Sequence, residues 1–183
     1  KIDLIFADPP YNIGIKYHNH NDKMQYEDFV KWCEEWIKEC VRLLSNDGSI
    51  YIAINDEHSA EIVMVLKNLG LTMRNWIIWH YTFGQAQKKK FSRAHTHLLY
   101  FTKDNEGFIF NPDGIRVKSI RQKIGDKRAN PKGKIPDDVW ENGISEEDDV
   151  WKISRVAGTF HERIKGFPCQ MPVKLLERVI KTS

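Results

Sequence analysis

The hydrophobic positions of this chain fall into short runs of two kinds. Lys1–Ala7 carries Ile2, Leu4, Ile5 and Phe6 with little polar interruption, the pattern of a strand buried on both faces of a parallel sheet. The run ends in Asp8-Pro9-Pro10-Tyr11-Asn12, where two prolines stop any ladder. A polar loop with Gly14 continues to about Asp22. From Glu27 to Leu44 the period changes: Phe29, Cys33, Trp36, Ile37, Cys40, Val41 and Leu44 line one face of a predicted helix, closed by Asn46-Asp47-Gly48. Ser49–Ile54 predicts a second strand, Glu57–Leu69 a second helix, Met73–Trp79 a third strand and His97–Lys103 a fourth. Strands alternating with helices argue an α/β architecture. Residues 104–150 have no sustained period and are rich in Gly, Pro and Asn, which suits a functional insertion better than an ordinary connection. Val150–Ile153 reads as a further short strand, and Pro172 opens a helix over Val173–Lys181. The expected division is a catalytic α/β region at 1–103, a recognition insert at 104–149 and a closing segment at 150–183.

Composition narrows this only slightly. A chain of 183 residues buries roughly 70% of its unfolded surface and requires no disulfide or metal staple. No apolar run approaches the ~20 residues of a bilayer span, so no membrane role is expected. Three cysteines make no disulfide framework, and Cys33 and Cys40 suit reduced core positions, as in a cytoplasmic protein. Charge distribution says more. Residues 86–135 hold 13 Lys and Arg against 4 Asp and Glu, a balance of +9, while the rest of the chain stands at −6. Such segregation suits a polyanion partner or, on charge alone, a solvated loop. The stretch 137–150 holds seven acids and no base, so it does not extend the basic surface.

The chemistry concentrates in Asp8-Pro9-Pro10-Tyr11, at the carboxyl end of a buried strand, the edge where open α/β sheets bind ligands. An exocyclic amine on a nucleobase is a poor nucleophile, because its lone pair is delocalised into the ring. Two acceptors on its two N–H bonds would favour a tetrahedral nitrogen and stabilise the charge developing during attack. The Asp8 carboxylate and the Pro9 carbonyl supply such acceptors. Pro9 and Pro10 fix φ near −65° and stiffen the turn, and Tyr11 offers a face for stacking. Asn12 is expected to brace the loop that follows.

An Asp-Pro-Pro-Tyr motif after an apolar strand resembles the catalytic motif of the S-adenosylmethionine-dependent DNA amino-methyltransferases. The resemblance extends along nearly the whole chain, through Arg42-Leu43-Leu44 with Gly48–Ile52, Asn75–Trp79, Phe91-Ser92 with His95–Lys103, Asp149–Ile153, Glu162-Arg163 and Phe167–Pro172. It implies a Rossmann-like methyltransferase fold, S-adenosylmethionine as cofactor and double-stranded DNA as partner, with a restriction endonuclease of the same system as a further candidate partner. It implies catalytic roles for Asp8, Pro9, Pro10 and Tyr11, and cofactor contacts from Asp8, Pro168 and Gln170. Pro168, Gln170 and Pro172 match a block that usually reads His-Pro-Thr-Gln-Lys-Pro, whereas Phe167, Cys169 and Met171 depart from it. The basic segment falls where the family recognises its target, which implies DNA contacts from Lys88, Lys89, Lys90, Arg93, Arg116, Lys118, Arg121 and Lys123. The block order is that of the beta group, where a glycine-rich cofactor turn follows the last helix. No G-x-G occurs in these 183 residues, so weak or no cofactor binding and no catalysis are expected of this chain alone.

Adenine N6 is the expected target, with cytosine N4 the nearest rival and a non-catalytic DNA-binding remnant the rival of another class. Enzymes acting on protein glutamine or RNA more often carry Asn at the first motif position. Trp79 suits a pocket wall or plain core, and Gln85 and Gln87 polar loop positions. His80, His95 and His97 lack the spacing of a metal site, so no metal is expected.

Overall fold

A computed structural model describes residues 1–17, 22–85, 87–140, 153–167 and 169–183, with 82–85 described by backbone alone. The chain forms two compact units, 1–77 with 96–109 and 78–95 with 110–183.

In the first unit, β1 (Ile2–Ala7) pairs in parallel with β2 (Leu44–Ile54), with Ile5 opposite Ile50 and Ala7 opposite Ile52. β2 pairs antiparallel with β4 (Arg93–Thr102), and β4 neighbours β3 (Thr72–Gln85). The sheet is thus mixed. β4 lies between β2 and β3, so the parallel pairing expected of the first strand holds for β1 with β2 but does not extend to β2 with β4. β1 is half-buried and Ile2 is exposed, and among the described strands β1 ends the order. Its apolar run reflects burial near its carboxyl end, not on both faces throughout.

Helix α1 (Tyr26–Leu43) buries Phe29, Cys33 and Ile37, which repeat at four-residue intervals along one face. Trp32, Trp36, Cys40 and Val41 flank that stripe against the same core. Burial pushes the Cys33 thiol up to about 12, so it stays protonated and inert. The helix ends at Leu43, and Leu44 turns into extended backbone that opens β2 at once. Asn46-Asp47-Gly48 accordingly lies within β2 and does not follow the helix as a separate stop. Lys103 closes the helix end, its Nζ donating to the carbonyls of Val41 and Leu44 at 3.0 Å each. Helix α2 (Ser59–Asn68) adds Ile62, Val63, Val65 and Leu66 to a core shared with Ile50, Ile52, Ile54, Leu99 and Phe101. Tyr51 and Tyr100, opposite each other on β2 and β4, stack at 4.3 Å.

In the second unit, the far half of β3 pairs in parallel with the short β5 (Val139–Trp140), Trp79 opposite Trp140. Trp79 is buried and its indole donates to the Ile153 carbonyl at 2.7 Å, so it is a core tryptophan. The buried Arg178 of α4 (Val173–Thr182) lies 4.6 Å from the Trp140 ring centre, and burial pushes its pKa down to about 10. Pro172 caps α4 from just outside its first turn. The insert contains a 3-10 turn at Pro112–Gly114 and a single-turn helix, α3 (Ile120–Lys123). Of the strand expected at Val150–Ile153, residues 150–152 lie outside the described residues, and Ile153 is buried but belongs to no strand. No described helix is long and apolar enough to cross a membrane.

Candidate active site

Asp8 is the first residue beyond β1, which puts its carboxylate at the carboxyl end of that strand. The Tyr11 hydroxyl donates to Asp8 Oδ1 at 2.8 Å. Surrounding protein penalises the charged form and pushes the Asp8 pKa up to about 6, with the Tyr11 hydrogen bond pulling the other way. The residue nonetheless presents an exposed surface, and solvent on that side moderates the penalty. Tyr11 is half-buried and rests against the hydrophobic core, so part of its ring is already occupied. The aromatic side chain is held at both ends, by the core and by Asp8.

The segment after Tyr11 is tied to one buried acid. Asp22, 3% exposed, accepts the Asn12 amide on Oδ1 at 2.7 Å and the Ile13 and Ile15 amides on Oδ2 at 3.2 and 2.8 Å. The Asp22 carbonyl accepts the Gly14 amide at 2.8 Å. Four consecutive backbone donors thus converge on one residue, which satisfies groups that a loop normally gives to water. Asn12 adds a reciprocal pair: its Nδ2 donates to the Met24 carbonyl at 3.1 Å and its Oδ1 accepts the Met24 amide at 2.7 Å. Asn12 has φ of 59°, a left-handed conformation that asparagine tolerates better than most residues. From the end of β2, Asn55 Nδ2 reaches the Tyr11 carbonyl at 3.4 Å. Asp22 and Asn55 were not evident in the sequence. The loop up to Asp22 reads simply as polar, and only Asn12 was expected to brace it.

Of the residues expected to meet a cofactor, Asp8 belongs to this cluster. Gln170 uses its side chain on its own loop, Nε2 donating to the Glu162 carbonyl at 2.7 Å and Oε1 accepting the Ile164 amide at 2.8 Å. Pro168 lies outside the described residues. Its neighbour Cys169 is exposed with φ of 52°.

The expected DNA contacts all belong to the second unit. Lys88, Lys89 and Lys90 are exposed between β3 and β4, and Arg93 is half-buried. Lys118, Arg121 and Lys123 are exposed around α3. Arg116 is engaged structurally, its Nε 2.8 Å from Asp113 and its Nη1 3.2 Å from the Gly133 carbonyl. Among the described residues no group of three or more His, Cys, Asp or Glu could hold a metal ion. His97 is buried, and its Nδ1 accepts the Trp76 indole N–H at 2.8 Å.

Comparison with known proteins adds a family. The chain is 36% identical over 183 residues to the type II methyltransferase M.HpaI of Haemophilus parainfluenzae, covering all of this chain and 54% of that protein. It is 32% identical over 191 residues to the DNA adenine methyltransferase YhdJ of Escherichia coli (strain K12), covering all of this chain and 60% of that protein. The chain therefore spans between half and two thirds of the length of these relatives. Among solved structures, the PvuII DNA methyltransferase (cytosine-N4-specific) matches with a TM-score of 0.62 at 15% identity, over 99% of this chain and 63% of that one, which makes the fold the Rossmann-like α/β fold of methyltransferases. A family model described as DNA methylase, covering N6 and N4 amino-methyltransferases, matches residues 2–183; with Asp-Pro-Pro-Tyr at the end of β1, the chain belongs to that DNA methylase family.

Proposed function

We propose that this chain carries the base-handling site of an enzyme that transfers a methyl group from S-adenosylmethionine to the N6 amine of an adenine flipped out of duplex DNA. The observation that carries this reading is the Asp8 carboxylate at the carboxyl end of β1, hydrogen-bonded to Tyr11 at 2.8 Å and open to solvent on one side. Flipping is required because the amine cannot be reached inside the base stack. Asp8 accepts one amine N–H and the Pro9 carbonyl accepts the other, which returns the nitrogen lone pair from the ring to the reacting direction. The Asp8 negative charge offsets the positive charge that grows on nitrogen during transfer. Tyr11 would cover one face of the base, and once the methyl group has arrived the surplus amine proton would pass to the Asp8 carboxylate or to solvent.

S-adenosylmethionine supplies an electrophilic methyl group when bound. The described residues fit it in part. Asp8 is exposed as a residue, whereas the Gln170 amide is taken up by Glu162 and Ile164, so Gln170 would act by holding its loop. The exposed Lys88, Lys89, Lys90, Lys118, Arg121 and Lys123 would neutralise DNA phosphates, with Arg93 and Arg116 supporting that surface from half-buried positions. This work belongs in the cytoplasm, and the type II names of relatives support pairing with a restriction endonuclease.

Adenine is favoured over cytosine by Asp at the first motif position and by the 32% identical adenine methyltransferase. The test is incorporation of labelled methyl groups into DNA by the chain, with and without a segment from a relative carrying the glycine-rich turn. Digestion to nucleosides follows. N6-methyladenine in the complemented reaction is expected. N4-methylcytosine would replace the adenine assignment, and no label in either reaction would overturn the proposal.

A further inference from the structure

The insert holds α3 more firmly than a single turn of helix can hold itself, since isolated turns are unstable in water. Ser119 caps it, Oγ accepting the Gln122 amide at 3.2 Å, while Gln122 Oε1 accepts the Ser119 amide at 2.8 Å. Such a reciprocal cap satisfies two orphan donors. Gln122 Nε2 also donates to the Pro131 carbonyl at 3.2 Å. On either side, Val117 and Lys134 exchange both backbone hydrogen bonds, at 3.0 and 2.8 Å. Gly133 makes that approach possible: a Cβ there would lie 2.4 Å from the Val117 carbonyl oxygen.

This frame turns two large apolar side chains outward. Ile120 and Ile124 are 75% and 74% exposed, and the Ile124 amide donates to the Ile120 carbonyl at 3.1 Å, which sets the two on the same side of the turn. Single exposed apolar residues need no explanation; an adjacent pair fixed by a capping box and a backbone bridge does. Their surroundings specify the chemistry of a partner. Residues 115–134 hold eight Lys and Arg and one acid, so the partner is polyanionic yet offers apolar groups. Duplex DNA combines these features in the major groove, where the thymine C5 methyl stands beside the phosphate backbone.

We propose that Ile120 and Ile124 form a reader of thymine methyl groups in the major groove, with Lys118, Arg121 and Lys123 on the flanking phosphates. The inference rests on the DNA reading above and names the residues that would make binding sequence-dependent. The same apolar pair on a protein partner or a second copy would have to accommodate the surrounding positive charge, which disfavours that occupant.

The experiment uses the chain as it stands. Duplexes retained from a random pool are sequenced, then remade with deoxyuridine in place of thymidine, which removes only the methyl groups. Each lost methyl contact should weaken binding about fourfold, from ~0.8 kcal/mol per buried carbon. The Ile120→Ser/Ile124→Ser variant should bind the thymidine duplex more weakly and no longer distinguish the two duplexes. The Ile120→Val/Ile124→Val variant should still distinguish them. Equal wild-type affinity for both duplexes would overturn the proposal without any variant. So would a serine variant that keeps the discrimination, or one whose sole defect is loss of self-association or protein capture. Retention of no duplex at low salt would instead remove the DNA contact itself, and the DNA reading with it.

Discussion

The loop after Tyr11 and the insert around α3 are both irregular chain held by side-chain to backbone hydrogen bonds, yet they are built on different energetic terms. In the loop the acceptor is a single acid, Asp22, 3% exposed and engaged by backbone donors on both carboxylate oxygens. In the insert several charged groups lie in water: the Arg128 side chain is 80% exposed beside the more buried Asp126, and Lys132 and Asp113 are both well exposed at 3.0 Å. Lys134 and Asp137 form a further surface pair. Removing a buried acceptor strands several donors; removing one member of an exposed pair returns its partner to solvent at little cost. The Asp8–Tyr11 segment is therefore followed by chain held by a buried acceptor, whereas the exposed charged pairs of the insert add little to its hold.

The sharpest way to break this contrast is Asp22→Ala. It leaves three backbone N–H groups without their side-chain acceptor and should destabilise the fold by about 3 kcal/mol or more, read as a lower denaturant midpoint. Asp22→Asn keeps one acceptor oxygen and should fall between the two. Lys132→Ala removes only the exposed pair with Asp113 and should cost no more than ~1 kcal/mol. Equal midpoint shifts for Asp22→Ala and Lys132→Ala would erase the distinction between the two regions.

Tyr11 comes next. In an enzyme completed with the glycine-rich segment, Tyr11→Ala should lose most methyl transfer, while Tyr11→Phe keeps the aromatic face and should retain much of it. Tyr11→Phe also removes the hydrogen bond that lowers the Asp8 pKa, so its acid limb should move to higher pH. Equal inactivity of both variants would assign the function to the hydroxyl instead of the ring.

The pH dependence of the native chain has a defined sign. The Asp8 pKa is raised to about 6, above its unfolded value, so the folded state holds the extra proton between the two. Stability from this group is present below the unfolded value and declines as pH rises towards about 6. In the enzyme completed with the glycine-rich segment, activity should run the opposite way and fall as pH drops through about 6, since the proposed role of Asp8 needs the ionised carboxylate. A transfer rate unaffected by pH across that range would remove Asp8 ionisation from the mechanism.

The smallest expected effect lies on the basic surface. Replacing Lys88, Lys89 and Lys90 together with alanine should weaken binding to all DNA sequences alike. It should also flatten the slope of log affinity against log salt by up to about 2.7, from roughly 0.9 per phosphate contact. An unchanged slope would take the three lysines out of the interface.

Much of this was legible before any fold. The four-residue spacing of Phe29, Cys33 and Ile37 announced the buried face of α1, and the apolar run ending before Asp8 announced β1. Periodicity reports which face a helix buries, and it did so for α1; for β1 the apolar run overstated the burial. Neither pattern reports strand order, so the antiparallel pairing of β2 with β4 and the place of β1 at the end of the described strands were not readable. Element ends were also obscured: Leu44 looks like the last residue of a helical stripe, but its extended backbone opens β2. Asp22 was hidden for a different reason. A buried acid that serves loop amides has no pattern of its own, since its partners are backbone groups present at every position. Gln170 matched a motif by identity, yet its amide is engaged by its own loop, a use that residue type alone cannot reveal.

The central claim is that the Asp8 charge acts on the amine during transfer, separately from binding. Asp8→Asn in the completed enzyme tests it, with methyl incorporation and DNA affinity measured on the same preparation. Loss of the charge should slow transfer by about a hundredfold to a thousandfold while DNA affinity stays near that of the native protein. Transfer at the native rate, or a loss matched by an equal loss of DNA binding, would contradict the account.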